Sequence, residues 1–238
     1  MNQKKLIPMK KICYFLFIAA TFVAFSCGNA SVSVTTTDDK DSASGAVCIW
    51  DNISLKESPE EAGKWICAIS IGEVVTYLDD SKEDNSGKKP VKYVKVKLKD
   101  GKEGWAMADF IILNSKPAAV TEDLEMYSRP DLLNKTGKSF MKMDIIAVKS
   151  EKDGFIEVTG KRKDGKWIES GWLKGKSVSY DAVDIAVAKF AGKALEIKDT
   201  KKREEAINEI LKNSDFNNSV FISSLSQPQG VVSSDSIE

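Results

Sequence analysis

The chemistry open to this 238-residue chain is limited first by what it lacks: it has no histidine. Ser-His-Asp and Cys-His nucleophilic systems, His-ligated zinc and His-held haem are therefore excluded. Lysine can activate serine without an imidazole, but Ser and Lys are both abundant and no pair sits in a recognisable motif. Carboxylates occur as sequence neighbours at Glu60-Glu61, Asp79-Asp80 and Glu204-Glu205. Adjacent residues on a strand point to opposite faces, so these are not preformed acid-base pairs. Asp79, Asp80, Glu83 and Asp84 supply oxygen ligands without the spacing of an EF-hand loop. The expectation is a chain that is not an enzyme and carries no metal or cofactor. Contact chemistry is better provided for. Tyr93, Trp105, Phe155, Trp167 and Trp172 are candidate ligand-binding aromatics, with Trp50, Trp65 and Tyr127 as candidate rim residues. The competing reading is that the tryptophans at Gly104-Trp105 and Gly171-Trp172 fill a core, as large aromatics commonly do.

Those aromatics must be positioned by something, and the middle of the chain repeats itself. Ser58-Pro59, Ile71-Gly72-Glu73, Tyr93-Val94-Lys95-Val96, Asp100-Gly101 and Gly104-Trp105 recur in the same order as Arg129-Pro130, Met143-Asp144-Ile145, Phe155-Ile156-Glu157-Val158, Asp164-Gly165 and Gly171-Trp172. The near-constant offset of about 70 residues implies a duplicated domain. Within the first copy, Val94, Val96 and Leu98 alternate with Lys95, Lys97 and Lys99, the period of a half-buried strand, and Asp100-Gly101 supplies a tight turn. The lysine stripe reads as the solvated face of such a strand. Each copy has the length and strand number of a small barrel whose closure removes open edges.

The ordered set resembles bacterial SH3-like (SH3b) domains, over residues 47–114 and 117–175. Two landmarks depart from that family: Lys56-Glu57 stands where it usually has Arg, and Asp144 is aligned with Gly72. The resemblance implies a mainly β fold of two tandem small SH3-like barrels, and a groove for peptides or cell-wall fragments lined by the aromatics above.

Beyond Gly175 the apolar spacing changes to three and four, from Ala182 through Leu195, which predicts an amphipathic helix. Asp199 or Thr200 is placed to cap a second helix carrying Ala206, Ile207, Ile210 and Leu211. The fold expected is therefore mainly β with a C-terminal α segment at 179–213, followed by a mostly disordered tail at 214–238.

The N-terminus reads as an export signal. Lys4, Lys5, Lys10 and Lys11 precede an uncharged apolar run from Ile12 to Phe25, too short for a comfortable membrane span. Residues 1–26 are the expected signal peptide. Ser26-Cys27 resembles the lipobox of bacterial lipoproteins in a relaxed form, which implies lipidation at Cys27 and palmitate among the attached chains. The Ser/Thr/Asp-rich stretch that follows suits a flexible tether over 27–46. Anchoring would place the protein in the cell envelope, on the outer membrane, with membrane lipid as one partner and peptidoglycan or an envelope protein as another.

Export leaves Cys48 and Cys67 in an oxidising compartment. A disulfide between them would contribute about 3 kcal/mol in the chain-entropy model, and two separately buried thiols are the alternative. The chain holds 35 basic and 35 acidic residues. Losing the four N-terminal lysines leaves 31 basic residues, a mature charge of −4. A nucleic-acid partner is not expected from this balance.

Overall fold

The computed structural model describes residues 45–226. The signal segment, Cys27, the tether up to residue 44 and the stretch 227–238 lie outside the described residues. The first sheet comprises β1 (Gly45–Cys48), β2 (Ile53–Lys56), β3 (Trp65–Ile69), β4 (Val74–Asp84), β5 (Val91–Lys97), β6 (Glu103–Met107) and β7 (Ile111–Leu113). The second comprises β8 (Lys116–Val120), β9 (Leu124–Tyr127), β10 (Lys135–Phe140), β11 (Ile145–Lys152), β12 (Phe155–Lys161), β13 (Ile168–Lys174) and β14 (Val178–Ser179). Their strand orders are β3-β2-β6-β5-β4-β1-β7 and β10-β9-β13-β12-β11-β8-β14, so each strand of the first has its counterpart seven strands later. The repeat in the sequence thus appears as a repeat of topology. All strand pairings among the described residues are antiparallel, and β3 and β7 do not pair with each other there. Each sheet has two ends in its strand order, where the sequence reading expected a closed barrel.

Strand alternation decides what is buried. Val94, Val96 and Leu98 enter the first core with Leu55, Ile69 and Val75, and Ile156, Val158 and Leu173 enter the second with Phe140 and Ile146. The Gly-Trp pairs have a steric cause. A Cβ on Gly104 would lie 2.6 Å from the Lys56 carbonyl oxygen, and one on Gly171 would lie 2.6 Å from Met126 Cγ. Glycine is the residue that lets β6 and β13 approach β2 and β9 so closely.

The repeat also has a different register from the one its motifs suggest. Gly72 N–H donates to the Cys48 carbonyl and Glu73 N–H to that of Ser70; Met143 N–H and Asp144 N–H do the same to Val120 and Met141. Met143 (φ 71°) therefore occupies the left-handed position of Gly72 (φ 77°), and Asp144 corresponds to Glu73. Both carboxylates close their turn, Glu73 Oε2 accepting from Ser70 N–H at 2.9 Å and Asp144 Oδ2 from Met141 N–H at 2.8 Å. Burial is the largest influence on Asp144 and raises its carboxyl above the usual range against these hydrogen bonds.

Cys48 and Cys67 are free thiols. They lie on β1 and β3 and both pack at the first core without the pairing considered from sequence. Burial pushes the Cys48 thiol up to about 12 against the lowering effect of its hydrogen bond to the Trp50 carbonyl, with Glu73 and Asp51 adding smaller upward contributions. It stays protonated and unreactive at neutral pH.

Helices α1 (Ala182–Leu195) and α2 (Thr200–Lys212) match the apolar spacing, with Asp181 and Asp199 as the N-caps. The chain then remains folded where fraying was expected. Phe221 and Leu225, at the start and end of α3 (Ile222–Leu225) and its preceding turn, are buried with Ile185, Ile207 and Ile210 of the longer helices and Ala119 and Ile145 of the second sheet. The expected tether is shortened too, since Ala46 is already a fully buried residue of β1. The two sheets meet through Val47, Ile49 and Ala147, flanked by Ile112 and Ile168. Lys193 of α1 reaches Asp51 of the β1–β2 turn at 2.7 Å.

Candidate functional site

Cross-strand partners share a face of a sheet, and this locates the motif aromatics. Because Val94 and Val96 face the first core, Tyr93 and Lys95 face outward, and Trp105, opposite Lys95, does so too. Trp65, Lys56, Trp105 and Lys95 form one outward row across β3, β2, β6 and β5. The next row pairs Tyr93 with Met107 on one side and Lys82 on the other. The corresponding rows of the second sheet hold Lys135, Tyr127, Trp172 and Glu157, with Phe155 opposite Lys174. The sequence thus brings Tyr93 together with Trp105, and Phe155 with Trp172, on equivalent outer faces rather than in the cores.

Being outward does not leave these rings open. Tyr93, Trp105 and Phe155 are almost completely buried and Trp172 is half-buried. Long β4 carries Lys82 over the Trp105 ring, 5.2 Å from its centroid, and Lys174 lies 4.5 Å from the centroid of Phe155. Tyr127 meets Phe155 edge-on at 5.3 Å. These are lysine-capped aromatic stacks, each cation-π contact contributing about 0.5–2 kcal/mol. Burial raises the Tyr93 phenol, helped by Asp84 and Glu61. A groove lined by all five aromatics is accordingly not what the fold presents. No motif in the sequence marks the capping lysines; the bulged register of β4 is what brings Lys82 opposite Tyr93.

Two indoles are offered to solvent: Trp65 is 61% exposed and Trp167 is 76% exposed. Trp65 extends the row of Trp105 at the edge strand β3, beside Lys56, whose ammonium donates to the carbonyls of Glu60 and Glu61. Trp167 stands in the β12–β13 hairpin, and the hairpin is braced. Arg162, itself buried, donates from Nε to Glu169 at 2.9 Å and from Nη1 to Asp164 at 2.6 Å, while Lys138 also binds Glu169. Arg162 and then Lys138 hold the Glu169 carboxyl below its ordinary value. A large ring on a fixed loop loses little conformational entropy when it is covered, the property expected of a contact residue. Among the described residues no group of three or more Cys, Asp or Glu side chains comes together in a way that could hold a metal ion.

No family model matches the chain, and no curated protein does. Among solved structures, NlpC2 and NlpC1 from Trichomonas vaginalis align over 71% of this chain at 12% and 13% identity, each with a TM-score of 0.24. The chain spans 54% and 58% of the length of those two proteins.

Proposed function

We propose that this is a non-enzymatic, lipid-anchored envelope protein whose two SH3-like units bind peptidoglycan or a peptide ligand. The observation that carries the reading is the pair of exposed indoles, Trp65 on the edge strand beside the Lys56–Trp105 row and Trp167 on the braced Arg162 hairpin. Flat, solvent-exposed indole faces suit stacking on the sugar rings of such a ligand. Support for SH3-like units comes from the twice-repeated motif set and the twice-repeated strand order. Support for the anchor comes from the charged, apolar and Ser26-Cys27 succession of the N-terminus.

In a pull-down on purified sacculi, the double variant Trp65→Ala/Trp167→Ala is expected to lose at least about tenfold in retention, as expected for two hot-spot indoles. Equal retention would reject the cell-wall reading. Metabolic labelling with palmitate is expected to mark the wild-type chain and not Cys27→Ala; label surviving the substitution would reject the anchor. A second reading, a protein-assembly module, is favoured by Leu133, which is 91% exposed beside the exposed Leu132. Crosslinking to one stoichiometric protein in intact cells, lost in Leu132→Ser/Leu133→Ser, would select it over the first.

A further inference from the structure

Where the two sheets meet α1 there is a cleft of about 1110 Å³, comparable to the upper range for organic-ligand sites. None of the aromatics considered above contributes to it. Its walls are apolar where the three parts converge: Ile71 from the turn before β4, Val148 from β11, and Ile185 and Ala186 from α1. The contact beneath it is tight, since a Cβ on Gly72 would lie 2.9 Å from Ile185 Cγ2.

Lysines surround this apolar interior. Lys99 comes from the turn after β5, Lys116 from β8, Lys149 from β11 and Lys189 from α1, so four separate segments each contribute a lysine to the lining, the Lys189 ammonium lying 5.9 Å from the centroid of the Phe190 ring. Among the described residues none of the four takes part in an ion pair. Two acids also line the cleft. Glu73 is engaged by Ser70 N–H, and Glu151 stands on the exposed end of β11 beside Tyr180. Four cations against two anions leave an excess of positive charge over an apolar cavity. Charge of one sign gathered at a low-dielectric concavity attracts the opposite sign.

We infer that the cleft between the sheets and α1 binds a small amphiphilic anion, an apolar body seated on Ile71, Val148 and Ala186 with a carboxylate or phosphate head among Lys99, Lys116, Lys149 and Lys189. This site is separate from the exposed indoles and does not depend on their role. Titration calorimetry of the purified chain with decanoate and with decyl phosphate, both below their micelle concentrations, tests it. At least one is expected to bind saturably at one site, and the tighter of the two identifies the head group. Lys116→Ala/Lys149→Ala is expected to weaken binding at least about tenfold. Ala186→Trp, which fills the cleft, is expected to abolish it, and Trp65→Ala/Trp167→Ala to leave it unchanged. Decan-1-ol is expected to bind at least about tenfold more weakly. The assignment is overturned if neither anion binds, if decan-1-ol binds equally well, or if the lysine double variant, altered only at exposed positions, binds like wild type. It is equally overturned if sedimentation reveals a dimer that Ala186→Trp dissociates while neither anion binds, since the cleft would then belong to a second copy of the chain.

Discussion

Phe221→Ala is expected to lower the unfolding free energy by about 3–5 kcal/mol, the cost of removing a fully buried aromatic from a packed core. Phe221 has no exposed surface, and its cluster unites Ile207 and Ile210 of α2, Ile185 and Ala188 of α1, and Ala119 and Ile145 of the second sheet. The turn that presents it is fixed by the buried carboxylate of Asp184, which accepts from Ser219 Oγ at 2.7 Å, from Val220 N–H at 2.9 Å and from Ser179 Oγ. Cavity formation at Phe221 is therefore not relieved by collapse of a loose terminus. Urea unfolding followed by tryptophan fluorescence reads the loss, because all five tryptophans lie in the strands of the two sheets or in the turns that join them. A change below about 1 kcal/mol would mean that the C-terminal helices are a detachable appendage.

Gly104→Ala and Gly171→Ala are each expected to cost about 1–3 kcal/mol, as small-to-large changes in packed positions do. The added methyl meets the Lys56 carbonyl, Leu55 and Ile66 in the first sheet, and Met126 and the Tyr127 carbonyl in the second, at separations from 2.6 to 3.0 Å. The two sites share none of these neighbours, so their effects should add. Met126 is flexible and can shift, which makes Gly171→Ala the milder of the two. Gly87→Ala is the control: its nearest neighbour would be 3.7 Å away, and a change within about 0.5 kcal/mol is expected. Indistinguishable melting of Gly104→Ala and Gly87→Ala would remove the steric explanation of the Gly-Trp pairs.

Period-two alternation around Val94 announced which residues of that strand are core, because burial on one face of a strand leaves that mark locally. Caps at Asp199 and the apolar spacing of α1 were legible for the same reason. Relations between distant segments were not. A one-residue difference in register set Asp144 against Gly72, since nothing local reveals that Met143 adopts positive φ. Alternation assigns Tyr93 to the outer face but does not tell that Lys82, beyond a bulge in β4, lies opposite it and over the Trp105 ring. Cys48 and Cys67 were close enough in sequence to pair and are free thiols on different strands of the first sheet. Residues 214–226, polar in composition, owe their order to Phe221 and Leu225 and to Asp184, which lies 35 residues before Ser219. The cleft lined by Lys99, Lys116, Lys149 and Lys189 draws on four elements with no shared motif.

The binding role rests on which indoles meet the ligand, and the five tryptophans make that directly observable. Each contributes one indole N–H signal to a ¹H–¹⁵N correlation spectrum, assignable by single Trp→Phe substitutions. On titration with soluble peptidoglycan fragments, the signals of Trp65 and Trp167 are expected to move saturably. The signal of Trp50, whose ring is occupied by Phe110 and Lys161, is expected to stay in place. A spectrum in which neither Trp65 nor Trp167 responds, or in which Trp50 alone does, would contradict the proposed binding face.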